Sequence, residues 1–196
     1  MKSIARVVKF GEVNTSPREV NAMLDLVKSE TERFDSRFLE PACGDGNFLL
    51  AVLDRKLDIL AKQFSKNQYE FEKNGVVVIS SIYGIDILED NIKLAIQRLF
   101  DKFMSVYEKQ FHKSLNQKLI QSVKFILGKN IIHADALTLK NVDSNEPIIF
   151  CEWSMISNKI KRRDFALSTL LDYAPFGKGS LFSDLGQNVF IPDPIR

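Results

Sequence analysis

Arg37 to Leu50 reads RFLEPACGDGNFLL, and the order of residue types within it decides the fold. RFLEP is a short strand candidate, ACGDGN a turn holding Gly44 and Gly46, and the following FLLAVLDRKLDILAKQF an apolar helical run. Upstream, TSPREVNAMLDLVKS from Thr15 to Ser29 predicts a helix with its start written twice. Pro17 suits the first helical position, and Ser16 with Glu19 spells a capping box. Val20, Met23, Leu24 and Val27 form one apolar stripe at i, i+3, i+4 and i+7. Downstream, GVVVISSIYGIDI from Gly75 to Ile87 is dense in β-branched residues and predicts a buried strand, with irregularity at Ser80 and Ser81. From Leu88 to about Phe111 the pattern turns helical. Ile92, Ala95, Ile96, Leu99, Phe100 and Phe103 share one face of that helix, and Glu89 and Asp90 suit its positive end. NIIHA from Asn130 and PIIFC from Pro147 predict third and fourth strands. Strands alternating with helices imply an α/β fold, most simply a doubly wound parallel sheet with helices on both faces.

With no internal repeat or Pro/Gly-rich linker, residues 1–196 read as one domain. The last stretch, Tyr173 to Arg196, is rich in turn residues. Beyond a fifth strand near Ser180 to Phe182 it offers no closing element, so a sheet incomplete at its C-terminus is expected. The 196 residues are 45% hydrophobic and 27% charged, a soluble globular balance. No run approaches the roughly 18 apolar residues that span a bilayer, and Met1 to Phe10 lacks the apolar core of a signal peptide. A cytoplasmic protein without a membrane partner is expected. Cys43, Cys151, His112 and His133 are too dispersed for a disulfide framework or a zinc cluster, so no metal is expected. The net charge of +2 argues neither for nor against nucleic acid.

An open parallel sheet binds ligands beyond the carboxyl ends of its strands, so the residues after each strand carry the chemistry. After the first stand Glu40-Pro41-Ala42-Cys43-Gly44-Asp45-Gly46-Asn47-Phe48, where two glycines let backbone approach a ligand. After the second stands Asp86, an acceptor suited to a ribose diol, and after the third Asp135, able to accept from a purine amino group. Each feature alone is common: glycine turns recur in α/β folds, and Asp after a strand often caps a helix.

Taken in order, they resemble the S-adenosylmethionine site of Rossmann-like methyltransferases, specifically the N6-adenine DNA methyltransferases of restriction-modification systems. LEPACGDGNFL is similar to that family's first motif almost residue for residue, YGIDI to its second and HADAL to its third. Gly11-Glu12-Val13-Asn14-Thr15-Ser16-Pro17 resembles the family's amino-terminal cofactor motif, with Ser16 intervening before the proline. The resemblance covers Gly11 to Leu137, taken as the cofactor-binding portion (residues 11–137). It implies that Glu40, Ala42 and the Gly44 to Gly46 backbone hold the methionine end of the cofactor, over which Thr15 closes. Asp86 would take the ribose hydroxyls, Asp135 with Ala136 the adenine, and Ile87 would wall the ring. Cys43 and Phe48 read as packing residues. The cofactor carries no phosphate, which accounts for the absence of a P-loop lysine after the turn.

The match fails after the fourth strand, in the divergent substrate-side portion (residues 147–196). There the family carries an Asn/Asp-Pro-Pro-Tyr/Phe tetrapeptide that orients a flipped-out adenine. This chain reads Glu152-Trp153-Ser154-Met155. Glu152 could accept from an amine and Trp153 stack on a base, as catalytic residues of a divergent site. Equally, catalysis could be lost, with Trp153 a core or interface aromatic. Asp193-Pro194 lacks a preceding strand and is not the missing motif. Lys159, Lys161, Arg162 and Arg163 place four positive charges in five residues, either a solvated helix start or a contact for a nucleic-acid backbone. Three readings stay open: a methyltransferase of a restriction-modification or phage-like system acting on adenine N6 in DNA, either a fragment or a reduced member that borrows target recognition from a partner chain; a cofactor-binding or assembly subunit without chemistry; and a methyltransferase for RNA or another substrate.

Overall fold

The computed structural model describes residues 15–156, 159–172 and 189–191. Motif residues Gly11 to Asn14, the strand expected near Ser180 to Phe182 and the Asp193-Pro194 pair lie outside them.

Helix α1 (Pro17–Leu26) starts as its sequence dictates. Ser16 Oγ accepts from the Glu19 N–H at 3.3 Å, and Glu19 returns a carboxylate to the Ser16 N–H at 3.1 Å. Val20 and Leu24 are buried against Val52, whereas Met23 and Val27 of the expected stripe stay half exposed. One further turn, α2 (Lys28–Thr31), leads to β1 (Phe38–Glu40), which feeds through the glycine turn into α3 (Asn47–Phe64).

The expected strand over Gly75 to Ile87 is corrected: its first half is helix. Helix α4 (Gln68–Ser80) is capped by Asn67, whose side chain accepts from the Glu70 N–H at 3.1 Å. Its β-branched run is helical because tertiary burial outweighs strand propensity. Phe71, Val76, Val78 and Ile79 are all buried. Gly75 lets α4 approach the next helix so closely that an added Cβ would lie 3.1 Å from the Phe103 ring. The irregularity at Ser80 and Ser81 is the end of this helix, and the strand proper, β2, is Ile82–Asp86.

Helix α5 (Glu89–Phe111) matches its expected span and buries Ile92, Ala95, Leu99 and Phe103. It is followed by a helix the sequence reading did not place, α6 (Gln117–Asn130), capped by Asn116, then by β3 (Ile131–Asp135) and β4 (Lys140–Asn141). These strands form one mixed sheet in the order β1-β2-β3-β4, with β1, β2 and β3 parallel and β4 antiparallel. The architecture is thus mixed α/β, with seven helices among the described residues once the short α7 (Leu167–Asp172) is included.

Neighbouring residues of β2 face opposite sides of the sheet. Gly84 faces α3, with an added Cβ meeting Leu49 at 2.9 Å and Cys43 Sγ at 3.0 Å. Tyr83 faces β5 (Ile149–Ile156): its ring meets Phe150 edge-on, and its hydroxyl donates to the Cys151 carbonyl at 2.7 Å. A strand therefore lies against the Tyr83 side of β2, with α4 and α6 also packed on β5. β5 starts beside Leu139, just past the end of β3, where the Ile148 N–H donates to its carbonyl. By Trp153 it has reached Asn130, which immediately precedes β3. It pairs antiparallel with β6 (Lys159–Ala166), which pairs in turn with β7 (Val189–Ile191), forming a second sheet.

One buried lysine supports the entry to β1. Lys56 of α3 is fully buried, with Nζ donating to the carbonyls of Ser36 (2.5 Å) and Phe34 (3.3 Å) and to Ser81 Oγ (2.7 Å).

Candidate functional site

The carboxyl ends of β1, β2 and β3 bring the glycine turn, Asp86 and Asp135 to one edge of the sheet. The register pairs Glu40 with Gly84 and Asp86 with His133, so the acidic residues step outward from strand to strand. Gly44 (φ 53°) and Gly46 (φ 87°) both adopt the left-handed conformation that favours glycine. An added Cβ on Gly46 would sit 3.1 Å from Ala95 Cβ, so helix α5 closes over the turn. Backbone bonds hold the turn to itself and to β2: Gly46 N–H donates to the Cys43 carbonyl and Cys43 N–H to the Ile85 carbonyl, both at 2.9 Å.

Asp86 anchors this turn. Its carboxylate accepts from the Gly44 N–H at 2.8 Å, the Leu88 N–H at 2.9 Å and Asn91 Nδ2 at 3.1 Å. Of the roughly four lone-pair positions on a carboxylate, about one is left for a ligand hydroxyl. Glu40 is half-buried at the end of β1, and desolvation raises its carboxyl above the ordinary range against the opposing Ala42 N–H. Cys43 is buried beside Asp86, Glu40 and Asp45. Desolvation first, then those negative charges, push its thiol up to about 12, so it packs as a neutral group. Asp135 accepts from the Leu137 N–H at 2.8 Å, and that bond leads the causes holding its carboxyl below the usual value. Ile87 is 48% exposed, with its carbonyl 3.0 Å from His133 Nε2. Ala136 is partly buried and Ala42 exposed, each beside its strand end. Thr15 is exposed and, with Ser16, Pro17 and Asn47, lines a cleft of about 300 Å³ between α1 and the start of α3.

The residues expected on the substrate side lie elsewhere. Glu152 and Trp153 are interior positions of β5, paired with Arg163 and Arg162 of β6, instead of forming a loop after it. Glu152 accepts from Arg37 Nη2 at 2.5 Å, at the amino end of β1. The Trp153 indole N–H donates to Asn130 Oδ1 at 2.8 Å, and Asn130 donates to the Ser80 and Ile82 carbonyls at the amino end of β2. Both thus sit at the opposite ends of the strands from Asp86 and Asp135. Hydrogen bonding explains the placement: the fully buried Asn130 side chain finds its acceptor and donor partners there. Trp153 is 8% exposed and borders a cleft of about 250 Å³ with Ser80, Met155 and Ile160.

Lys159, Lys161, Arg162 and Arg163 lie on strand β6, which corrects the helix-start reading. Of the four only Lys159 is exposed, the others being partly buried, and Arg162 is held by a two-pronged bond to Asp164. Arg98 and Asn91 on α5 were missed by the sequence reading, although both contact the glycine turn or its anchor. No local signal marks either, because their partners lie elsewhere in the chain or are shared with ordinary capping.

Among the described residues no group of His, Cys, Asp or Glu side chains is placed to hold a metal ion, and no helix is long and apolar enough to cross a membrane. Compared with protein-family models, curated proteins and solved structures, the chain matches none.

Proposed function

We propose that this chain binds S-adenosylmethionine at the carboxyl ends of β1, β2 and β3, as a methyltransferase-type domain related to the N6-adenine DNA methyltransferases. One observation carries the reading: the glycine turn, Asp86 and Asp135 stand on three adjacent parallel strands in the order that the motifs imply. The donor set fits such a ligand. The turn carries two left-handed glycines, with Gly46 packed against Ala95 of α5; Asp86 keeps an acceptor position, and Asp135 ends β3.

When bound, the cofactor supplies a methyl group activated on a sulfonium. Glu40 and the turn would hold its amino-acid end, Asp86 its ribose and Asp135 with Ala136 its adenine, while Thr15 and the start of α1 flank the cleft beside Asn47. Alignment of an acceptor base is a separate task, and proximity supplies much of the rate of such a transfer. Glu152 and Trp153 are engaged at the other end of the sheet with Arg37 and Asn130. That engagement favours a second reading, in which the chain is a cofactor-binding subunit whose DNA-adenine chemistry depends on residues from a partner.

The test is retention of labelled S-adenosylmethionine by the purified chain, followed by transfer to unmethylated duplex DNA and to RNA. Retention that unlabelled S-adenosylmethionine competes away and ATP does not is the expected result. Competition by ATP would return the site to a generic nucleotide pocket. Transfer to DNA by the chain alone would refute the partner-dependent reading.

A further inference from the structure

We propose that Arg98 is a positioning residue that orients Asn47 as a donor for the carboxylate end of the ligand, an inference that rests on the cofactor reading above. Arg98 lies on α5 one turn after Ala95, the residue that closes over Gly46, so one face of α5 meets the turn twice. Its guanidinium donates from Nη1 to the Asp45 carbonyl at 2.7 Å, pairs with the Asp45 carboxylate at 3.1 Å, and donates from Nη2 to Asn47 Oδ1 at 2.8 Å. The fork therefore spans Gly46, the left-handed residue between its two partners.

The consequence for Asn47 is directional. A guanidinium has donors and no acceptor, so the Asn47 amide must turn its oxygen toward Arg98 and keep Nδ2 for another partner. No described residue accepts from Nδ2. Asn47 also lines the 300 Å³ cleft with Thr15, Ser16 and Pro17, on the side of the turn where the amino-acid end of the cofactor is assigned. An amide donor facing that cleft suits an anionic acceptor, to which its bond is charge-assisted, and its place in the cleft puts it at the amino-acid end of the cofactor.

The distinguishing experiment compares two ligands by calorimetry: S-adenosylmethionine, and 5′-methylthioadenosine, which keeps adenine, ribose and sulfur and lacks the amino-acid tail. Arg98→Ala is expected to weaken S-adenosylmethionine at least ten-fold while leaving 5′-methylthioadenosine within two-fold of the wild-type chain. Asn47→Asp keeps the contact to Arg98 and suits the first turn of a helix, yet removes the donor, and is expected to give the same split. It decides the matter if Arg98→Ala fails to fold. Equal weakening of both ligands would mean that Arg98 merely holds the turn together, and unchanged binding of S-adenosylmethionine would mean that it does neither; each overturns the inference while the cofactor reading stands. A folded wild-type chain that binds neither ligand overturns the cofactor reading, and this inference with it.

Discussion

Replacing Lys56 by Met removes a fully buried amine from beneath the start of β1, and its effect should depend on pH. Desolvation lowers the folded-state pKa of Lys56 from 10.5 to about 7, with Asp35 and Glu30 opposing and Arg33 assisting. Between those two values the unfolded chain holds a proton that the folded chain has released. Stability from this group is therefore complete above the unfolded pKa and declines as pH falls toward 7, below which the dependence flattens. The slope cannot exceed about 1.4 kcal/mol per pH unit, and integration from pH 7 to 9 gives roughly 2 kcal/mol. Because the side chain is fully buried, solvent screening does not reduce that figure appreciably. The assay is urea denaturation of the wild-type chain and Lys56→Met at half-unit intervals from pH 6.5 to 9.5. Taking the difference between the two cancels every other titrating group. The wild-type advantage should grow by about 3 kcal/mol from pH 6.5 to 9.5, of which roughly 2 falls between pH 7 and 9. Parallel curves would refute the reasoning: they would mean that Ser36, Phe34 and Ser81, as three acceptors for an ammonium, keep Lys56 charged in the folded chain.

Two further outcomes are expected. Gly46→Ala forces a side chain into a left-handed backbone and 3.1 Å from Ala95, costing roughly 1–2 kcal/mol from conformation alone, and should lower both the melting temperature and ligand affinity. Trp153→Phe leaves Asn130 Oδ1 without its indole donor and should cost about 1–3 kcal/mol in denaturant titrations with ligand affinity unchanged. Correspondingly, emission from this sole tryptophan should not respond to a ligand bound at the far ends of the strands; a shift on titration would contradict the separation.

What the sequence made legible was local. The start of α1 was readable because Ser16, Pro17 and Glu19 act on one another within a single turn. The strand-turn-helix at Arg37 to Leu50 was readable because glycines and an apolar run mark each change of period. The run from Val76 to Ile79 misled because β-branched residues buried on several sides read alike as strand and helix. Asn67 and Glu70 ahead of it were the available sign of a helix start. Glu152 and Trp153 were misplaced for a different reason: their positions depend on Arg37 and Asn130, partners remote in sequence. Arg98 is equally remote from Asp45 and Asn47, and nothing in a charged residue on an amphipathic helix announces a fork across a turn.

The central claim, a cofactor site at the ends of β1, β2 and β3, is tested most directly by calorimetric titration of S-adenosylmethionine into the wild-type chain and into Asp86→Ala and Asp135→Ala. Asp86→Ala also releases the Gly44 N–H, so Asp135, which makes no bond to the turn among those described, serves as the independent arm. Saturable binding at one site in the wild-type chain, abolished by the first change and weakened by the second, is the predicted result. A folded wild-type chain that takes up no S-adenosylmethionine, or an Asp135→Ala variant that binds as tightly as the wild type while Asp86→Ala has lost its fold, would contradict it.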